Sequence, residues 1–199
     1  MGKLFVIDGT DGSGKQTQFD LLKKHLTEDG IEYKTVSFPN YDSPSSSLVK
    51  MYLSGEFGEN AKDVSPYIAS TFYAADRYAT FKKELQEYYD NGGIILADRY
   101  TTANMVHQAG KITDEAEREK YLNWLFDLEF NIYGLPVPTE VFFLNMPPKK
   151  VEELIKKTQL CLNSVLFAKV EINSLIPILQ SSSEITNTVQ WERLTFLFK

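Results

Sequence analysis

Apolar residues fall along this chain in blocks whose spacing switches between that of covered strands and that of amphipathic helices. Leu4 to Ile7 is a short, continuous apolar run, which reads as a strand buried on both faces. From Gln18 to Leu26 the apolar positions Phe19, Leu22 and Leu26 recur at helical spacing and predict a first helix, ended by Glu28-Asp29-Gly30. Ile31 to Phe38 alternates like a second strand. Pro39 to Ser47 is a polar turn rich in serine and proline, either a functional loop or a connector, and Leu48 to Leu53 reads as a short helix. Ser65-Pro66 supplies a capping hydroxyl followed by a first-turn proline. With no breaker before Tyr89, it opens one long helix stopped by Asn91-Gly92-Gly93.

Ile94-Ile95-Leu96-Ala97 is a second covered run, ending in Asp98-Arg99-Tyr100. Thr113-Asp114-Glu115 opens another helix, with Tyr121, Leu122, Leu125, Phe126 and Leu128 as its apolar stripe and Gly134-Leu135-Pro136 as its close. Val141 to Leu144 reads as a further strand, and Pro147-Pro148 as the start of a helix reaching Lys157. Strands alternating with helices predict the α/β class, with an open, mostly parallel sheet flanked by helices.

From Thr158 the character changes. Residues 159–199 carry only Lys169, Glu171, Glu184, Glu192, Arg193 and Lys199 as charged groups, Pro177 interrupts the apolar pattern, and Ser181-Ser182-Ser183 is a patch of low complexity. The chain is therefore read as a core over residues 1–157 and an atypical C-terminal segment over 158–199. A length of 199 residues suits one domain, or one with a small lid. The net charge of −6 argues against a general nucleic-acid-binding face, whereas a nucleotide-sized anion needs only a local positive pocket. Cys161 is the only cysteine, so no internal disulfide forms and a cytoplasmic location is expected. The chain enters its first strand without a signal peptide, and no apolar run approaches a membrane span.

The chemistry concentrates between the first strand and first helix, at Gly9-Thr10-Asp11-Gly12-Ser13-Gly14-Lys15-Gln16-Thr17. A glycine-rich turn in that context lets successive N–H groups converge on an anion, aided by the positive end of the helix. Lys15 adds a mobile cation for the outer phosphates of a nucleotide. A hydroxyl for Mg²⁺ is usual directly after the lysine, but Gln16 stands there and Thr17 follows.

Four further features belong where strands end in an open sheet. Asp98 suits Mg²⁺ or its waters and Arg99 a phosphate; otherwise Asp98 caps the next helix and Arg99 pairs with it. Tyr73 and Arg77 share a helix face and suit a planar heterocycle bearing carbonyl oxygens, unless they are a core tyrosine and a surface arginine. Phe38-Pro39-Asn40-Tyr41 offers an aromatic wall and a phenol, or a plain turn. Asn104 and Gln108 also share a face, suited to a base edge. His107, without a Cys/His cluster beside it, reads as a structural or stacking residue rather than a metal ligand.

The glycine loop, Phe38-Pro39-Asn40-Tyr41, Arg77, Asp98-Arg99-Tyr100 and Gly134-Leu135-Pro136 occur in the order and spacing of thymidylate kinases, so the chain resembles that family of P-loop nucleoside monophosphate kinases over residues 3–157. The resemblance implies transfer of the γ-phosphoryl group of ATP to dTMP, with Mg²⁺, in a cytoplasmic homodimer. It implies that Lys15, Asp98 and Arg99 are catalytic and that Gly9, Asp11, Gly12, Ser13, Gly14, Lys15, Gln16 and Thr17 hold ATP. Asp11 is then near the acceptor sugar or Mg²⁺, and Asp98 near the metal. Tyr73 stacks on thymine, and Arg77, Asn104 and Gln108 meet its edge. Phe38 forms a wall, while Tyr41 and Arg99 hold the acceptor phosphate.

Relatives bring extra arginines to the transferring phosphate from the loop or from a lid. Here Gly12 fills the loop position, no arginine lies between Arg118 and Arg193, and Lys149, Lys150, Lys156 and Lys157 are the nearby cations. Either the lid is a natural variant, or the segment from Thr158 is a shifted-frame translation. The rival functions are a kinase for another nucleoside monophosphate, a catalytically silent nucleotide-binding protein and a regulatory P-loop ATPase.

Overall fold

The computed structural model describes residues 1–9, 12–60, 62–145 and 191–193. The chain divides into two compact units, one made of Met1–Val6 with Lys34–Glu140, the other of Ile7–Tyr33 with Val141–Lys199. Strand β1 (Lys3–Gly9) contributes its first half to one and its second half to the other. Strands β1 to β4 run parallel and are flanked by helices.

In the first unit the strand order is β2 (Lys34–Ser37), β3 (Ile94–Asp98), β1. β2 and β3 pair in register from Lys34 opposite Ile95 to Ser37 opposite Asp98. The alternation from Ile31 to Phe38 predicts a longer strand, yet only four residues pair and three of those are exposed. An edge strand has one neighbour and little to bury, so an apolar alternation gains little there. β3 is the covered strand its sequence predicts, with Ile95, Leu96 and Ala97 buried.

Helix α2 spans Ser47–Leu53 and helix α3 spans Pro66–Thr80. At the start of α3, the Ser65 hydroxyl accepts the Tyr67 N–H and Pro66 occupies the first turn, as the sequence predicts. The long helix continues to Asp90, but through a π-helical turn at Phe81–Leu85 before α4 (Gln86–Asp90). Helix α5 covers Thr101–Ala109 and α6 covers Glu115–Phe126, opened by Asp114, whose carboxylate accepts the Glu117 N–H at 2.9 Å. A second π-helical turn, Asp127–Ile132, follows α6.

Met105, Ala109, Tyr121 and Leu125 form a buried cluster, with Tyr67, Leu122, Trp124 and Phe130 packed against it. The buried stripe of α6 therefore runs Tyr121, Leu125 and then Glu129, not Leu128. A carboxylate takes the next place at helical spacing.

The second unit holds the second half of β1, then β4 (Glu140–Leu144) and β5 (Trp191–Arg193), the last antiparallel to β4. Helix α1 spans Lys15–Glu28 and buries Gln18, Phe19, Leu22 and Leu26. It begins three residues before the apolar spacing does, because Gly14 turns the chain into it. The helix predicted from Pro147 to Lys157 and the lid lie outside the described residues. Among the described residues no helix is long and apolar enough to cross a membrane.

Leu125 is fully buried in the α5–α6 cluster. Leu125→Ala is expected to destabilise the protein by about 2–5 kcal/mol, measured as a lower urea midpoint with an unchanged slope.

Candidate active site

The glycine loop is held from its two ends. Asp8, buried at the end of β1, accepts the Gly9 N–H at 2.8 Å. Gly9 has φ 153°, and a Cβ there would lie 2.8 Å from the Leu144 carbonyl and 2.9 Å from the Ser13 hydroxyl. Glycine is thus required by conformation and by space. Gly14, at φ 86°, forms the N-cap of α1 without any side-chain cap. A helix start whose N-cap is a glycine offers no side chain of its own to its first-turn amides, the arrangement in which a helix start receives phosphate.

The Lys15 ammonium donates to the Gly9 carbonyl at 2.8 Å, folding the side chain back over the loop. The Ser13 hydroxyl and the Gln18 amide oxygen are buried with no hydrogen-bond partner among the described residues. Buried polar atoms without partners are rare and mark places where a ligand or ion completes the set. Gln16 donates its amide to Asp20 at 3.1 Å on the surface, and Thr17 is exposed. Asp11, expected to serve ATP, the acceptor sugar and Mg²⁺, lies outside the described residues together with Thr10.

The first unit carries the remaining candidates. Arg77 is 2% exposed, so it is not the surface arginine that the bland reading of its spacing allows. Its Nε donates to Glu129 Oε2 at 2.6 Å and its Nη2 to Oε1 at 3.0 Å, a two-pronged pair. The Thr101 hydroxyl donates to the same Oε2 at 2.7 Å. The guanidinium lies 5.4 Å from the Phe38 ring and 5.2 Å from the Tyr100 ring, which themselves meet edge to face at 5.8 Å. Burial opposes the charge of Arg77, but Glu129 beside it holds the guanidinium above its ordinary range.

Tyr73 is half-buried one turn before Arg77 and meets Tyr52 edge to face at 6.3 Å. Burial first, then the neighbouring Tyr52, pushes its phenol up to about 12. Burial raises the Tyr100 and Tyr121 phenols as well. Asn104 and Gln108 are both buried on α5. Asn104 is set by Ser70, whose hydroxyl reaches its amide oxygen at 3.4 Å and the Tyr121 hydroxyl at 2.7 Å. The Gln108 amide oxygen is buried with no partner among the described residues.

Asp98 ends β3, and its carbonyl accepts the Phe38 N–H at 3.0 Å. It does not cap the next helix, since the N-cap of α5 is Tyr100 and no side chain caps it. Arg99 has φ 67°, the one positive φ at a non-glycine among the described residues. A non-glycine held there costs about 1–3 kcal/mol and persists only where surrounding structure imposes it. Its NH1 lies 3.2 Å from His107 Nε2, so His107 steadies an arginine, in keeping with a structural role. Tyr41 is exposed.

Two residues that the sequence pattern does not single out organise this region. Glu129 is one, and its signal was a carboxylate four places after Leu125 in a buried stripe. Asp76 is the other. It is 1% exposed, accepting the Asn40 N–H at 2.8 Å and the Ser45 hydroxyl at 2.5 Å, and so anchors the Pro39–Ser47 loop. No pattern in one sequence separates it from a solvent-facing helix aspartate.

Among the described residues no group of three or more His, Cys, Asp or Glu side chains comes together to hold a metal. Mg²⁺ is usually held by one or two carboxylates plus substrate phosphates, and Asp98 supplies one oxygen donor of that type. The donor set fits a metal that arrives with the nucleotide.

The family model for thymidylate kinases matches residues 7–172, running past Lys157, where the motif resemblance ends. The Mycobacterium tuberculosis thymidylate kinase is 31% identical over 136 residues, 68% of this chain and 62% of its own length. The probable thymidylate kinase of Pyrococcus horikoshii is 28% identical over 155 residues, 78% of this chain and 70% of its own. The match thus spans under two thirds of the mycobacterial relative. A solved thymidylate kinase from Candida albicans shares the fold at a TM-score of 0.63 and 20% identity, covering 96% of this chain and 97% of that one.

A phenol that ionises later in the folded state than in the unfolded one loses stability for the fold as pH rises. For Tyr73 that window opens at the ordinary value of 10.0 and closes at about 12. Absorbance titration of the wild type against Tyr73→Phe is expected to show one phenol ionising within the upper part of that window, and the variant to lose less stability across it.

Proposed function

The chain belongs to the thymidylate kinase family, and from that premise we propose that it transfers the γ-phosphoryl group of ATP to dTMP, giving dTDP and ADP. The observation that carries the choice of acceptor is Arg77, a donor-only guanidinium held by Glu129 beside the Phe38–Tyr100 ring pair, one helical turn from the half-buried Tyr73. That pairing suits a planar base bearing a carbonyl oxygen.

The acceptor is already an anionic phosphate oxygen, so no strong general base is needed. Alignment and neutralisation of charge carry the rate. The amides at the start of α1, with the loop N–H groups of Gly9, Asp11, Gly12, Ser13, Gly14, Gln16 and Thr17, take the ATP phosphates, and the Asp11 carboxylate serves the acceptor's sugar hydroxyl or Mg²⁺. Lys15 exchanges the Gly9 carbonyl for a phosphate oxygen. Tyr73 stacks on thymine, Phe38 walls the pocket, and Arg77, Asn104 and Gln108 meet the base edge. Arg99 and Tyr41 hold the acceptor phosphate, where the fork of a guanidinium matches two oxygens. Bound with ATP, Mg²⁺ would neutralise the β- and γ-phosphate oxygens, and Asp98 would hold it or its waters. The same reading takes the protein as a cytoplasmic homodimer.

A catalytically silent nucleotide-binding protein is the second reading, favoured by the absence of arginine between Arg118 and Arg193. Calorimetry showing ATP and dTMP binding without turnover selects it.

A coupled assay with ATP, Mg²⁺ and dTMP, dUMP, dCMP or dAMP is expected to give turnover with preference for dTMP; preference for another monophosphate overturns the acceptor assignment. Lys15→Ala is expected to lower kcat by roughly 10²–10³-fold, the cost of one charge-stabilising donor, and to weaken ATP binding. Unchanged ATP affinity in that variant removes the loop from the mechanism.

A further inference from the structure

Glu129 is wholly buried, in a helix stripe whose preceding members, Tyr121 and Leu125, belong to the hydrophobic cluster. Buried carboxylates are rare unless paired, and two apolar side chains of similar volume pack at least as well as a buried ion pair. Stability is therefore a poor reason for this residue. Its geometry supplies another.

Both oxygens of Glu129 are engaged by Arg77, and Oε2 accepts a second bond from Thr101, the first residue of α5. The carboxylate is thereby fixed in direction, and it fixes the plane of the guanidinium. The Phe38 and Tyr100 rings lie 5.4 and 5.2 Å from that guanidinium and add cation–π contacts to its hold. With Nε and one N–H of Nη2 committed to Glu129, Nη1 is the amine whose two N–H groups Glu129 does not engage.

We propose that Glu129 is a positioning residue that sets acceptor specificity, by locking Arg77 so that its remaining amine meets a ring carbonyl and refuses a ring amine. This rests on the acceptor reading given above. A free arginine on a long stem swings aside for a mismatched base at little cost. A locked one leaves donor facing donor, and a buried polar site that loses its partner discriminates far more strongly than one that merely loses contact. The pair that decides is a pyrimidine monophosphate with a carbonyl at the ring position facing Arg77, dTMP, against one with an amine there, dCMP. The π-helical turn at Asp127–Ile132 contains Glu129, and such turns often accompany functional sites.

The test compares kcat/KM for dTMP and dCMP in the wild type, Glu129→Gln and Thr101→Val, each checked for folding by thermal melt. Glu129→Gln keeps the shape and loses the charge and one acceptor. The dTMP/dCMP ratio is expected to shrink by on the order of 10- to 100-fold, the worth of a charge-assisted hydrogen bond, with KM for ATP unchanged. Thr101→Val leaves the Arg77–Glu129 pair in place and is expected to shrink the ratio by about threefold. If Glu129→Gln does not fold, Thr101→Val and Glu129→Asp decide. Folded variants in which both substrates suffer by the same factor, or in which the ratio does not move, overturn the proposal while leaving the dTMP kinase reading intact. A wild type without preference for dTMP defeats that reading itself, and the proposal with it.

Discussion

The proposed acceptor site depends on one buried ion pair. Arg77 comes from the last turn of α3, Glu129 from the turn beyond α6, and Thr101 from the start of α5, so a single carboxylate ties three helical elements together. Removing either charge alone leaves the other buried and uncompensated, at about 3–5 kcal/mol. Burial is the largest single influence on the guanidinium and opposes its charge, and Glu129, with smaller help from Tyr100 and Asp76, holds it above its ordinary range. The aromatic walls follow from the same contact, since Phe38 and Tyr100 pack on each other and on Arg77. Asp76, one residue before Arg77, holds the loop that follows Phe38. Adjacent residues on one helix thus set the wall and the loop.

The second unit solves a different problem, that of gathering amides rather than charges. Gly9 and Gly14 take backbone angles that side chains disfavour, and at Gly9 there is no room for one. The loop that results has its lysine resting on a carbonyl and buried polar atoms at Ser13 and Gln18 without partners among the described residues. An anion placed there satisfies several donors at once. Arg99 stores strain of the same kind in the first unit, and the strain aims a guanidinium rather than opening a space.

Much of this was legible in the sequence because it rests on local rules. The covered strands, the Ser65-Pro66 helix start, the Asp114 cap and the glycine loop each follow from residues within a few positions of one another. What stayed hidden depends on partners far apart in the chain. Glu129 and Arg77 are 52 residues apart, and Asp76 and Asn40 are 36 apart. Helical spacing does place Glu129 after Leu125, but spacing alone cannot tell a buried carboxylate from the end of a stripe. The π-helical turns were equally invisible, since a one-residue shift in hydrogen bonding leaves composition and period almost unchanged. β2 came out shorter than its alternation because burial, not pattern, decides how far an edge strand pairs.

The polar inventory of the pocket narrows what the proposed acceptor must look like. Arg77 only donates. Asn104 and Gln108 each carry a donor and an acceptor, and the Gln108 amide oxygen is buried with no partner among the described residues. Ser70 holds both ends of the Asn104 amide, with its own hydroxyl in turn against Tyr121, so that amide does not rotate freely to suit any base. A fixed donor beside a buried acceptor fits a ring edge on which a carbonyl stands next to an N–H. A ring amine beside an unprotonated nitrogen presents the reverse order, so each hydrogen bond becomes a clash of like with like. In this reading base choice follows from the order of two hydrogen bonds, and rigidity makes that order count.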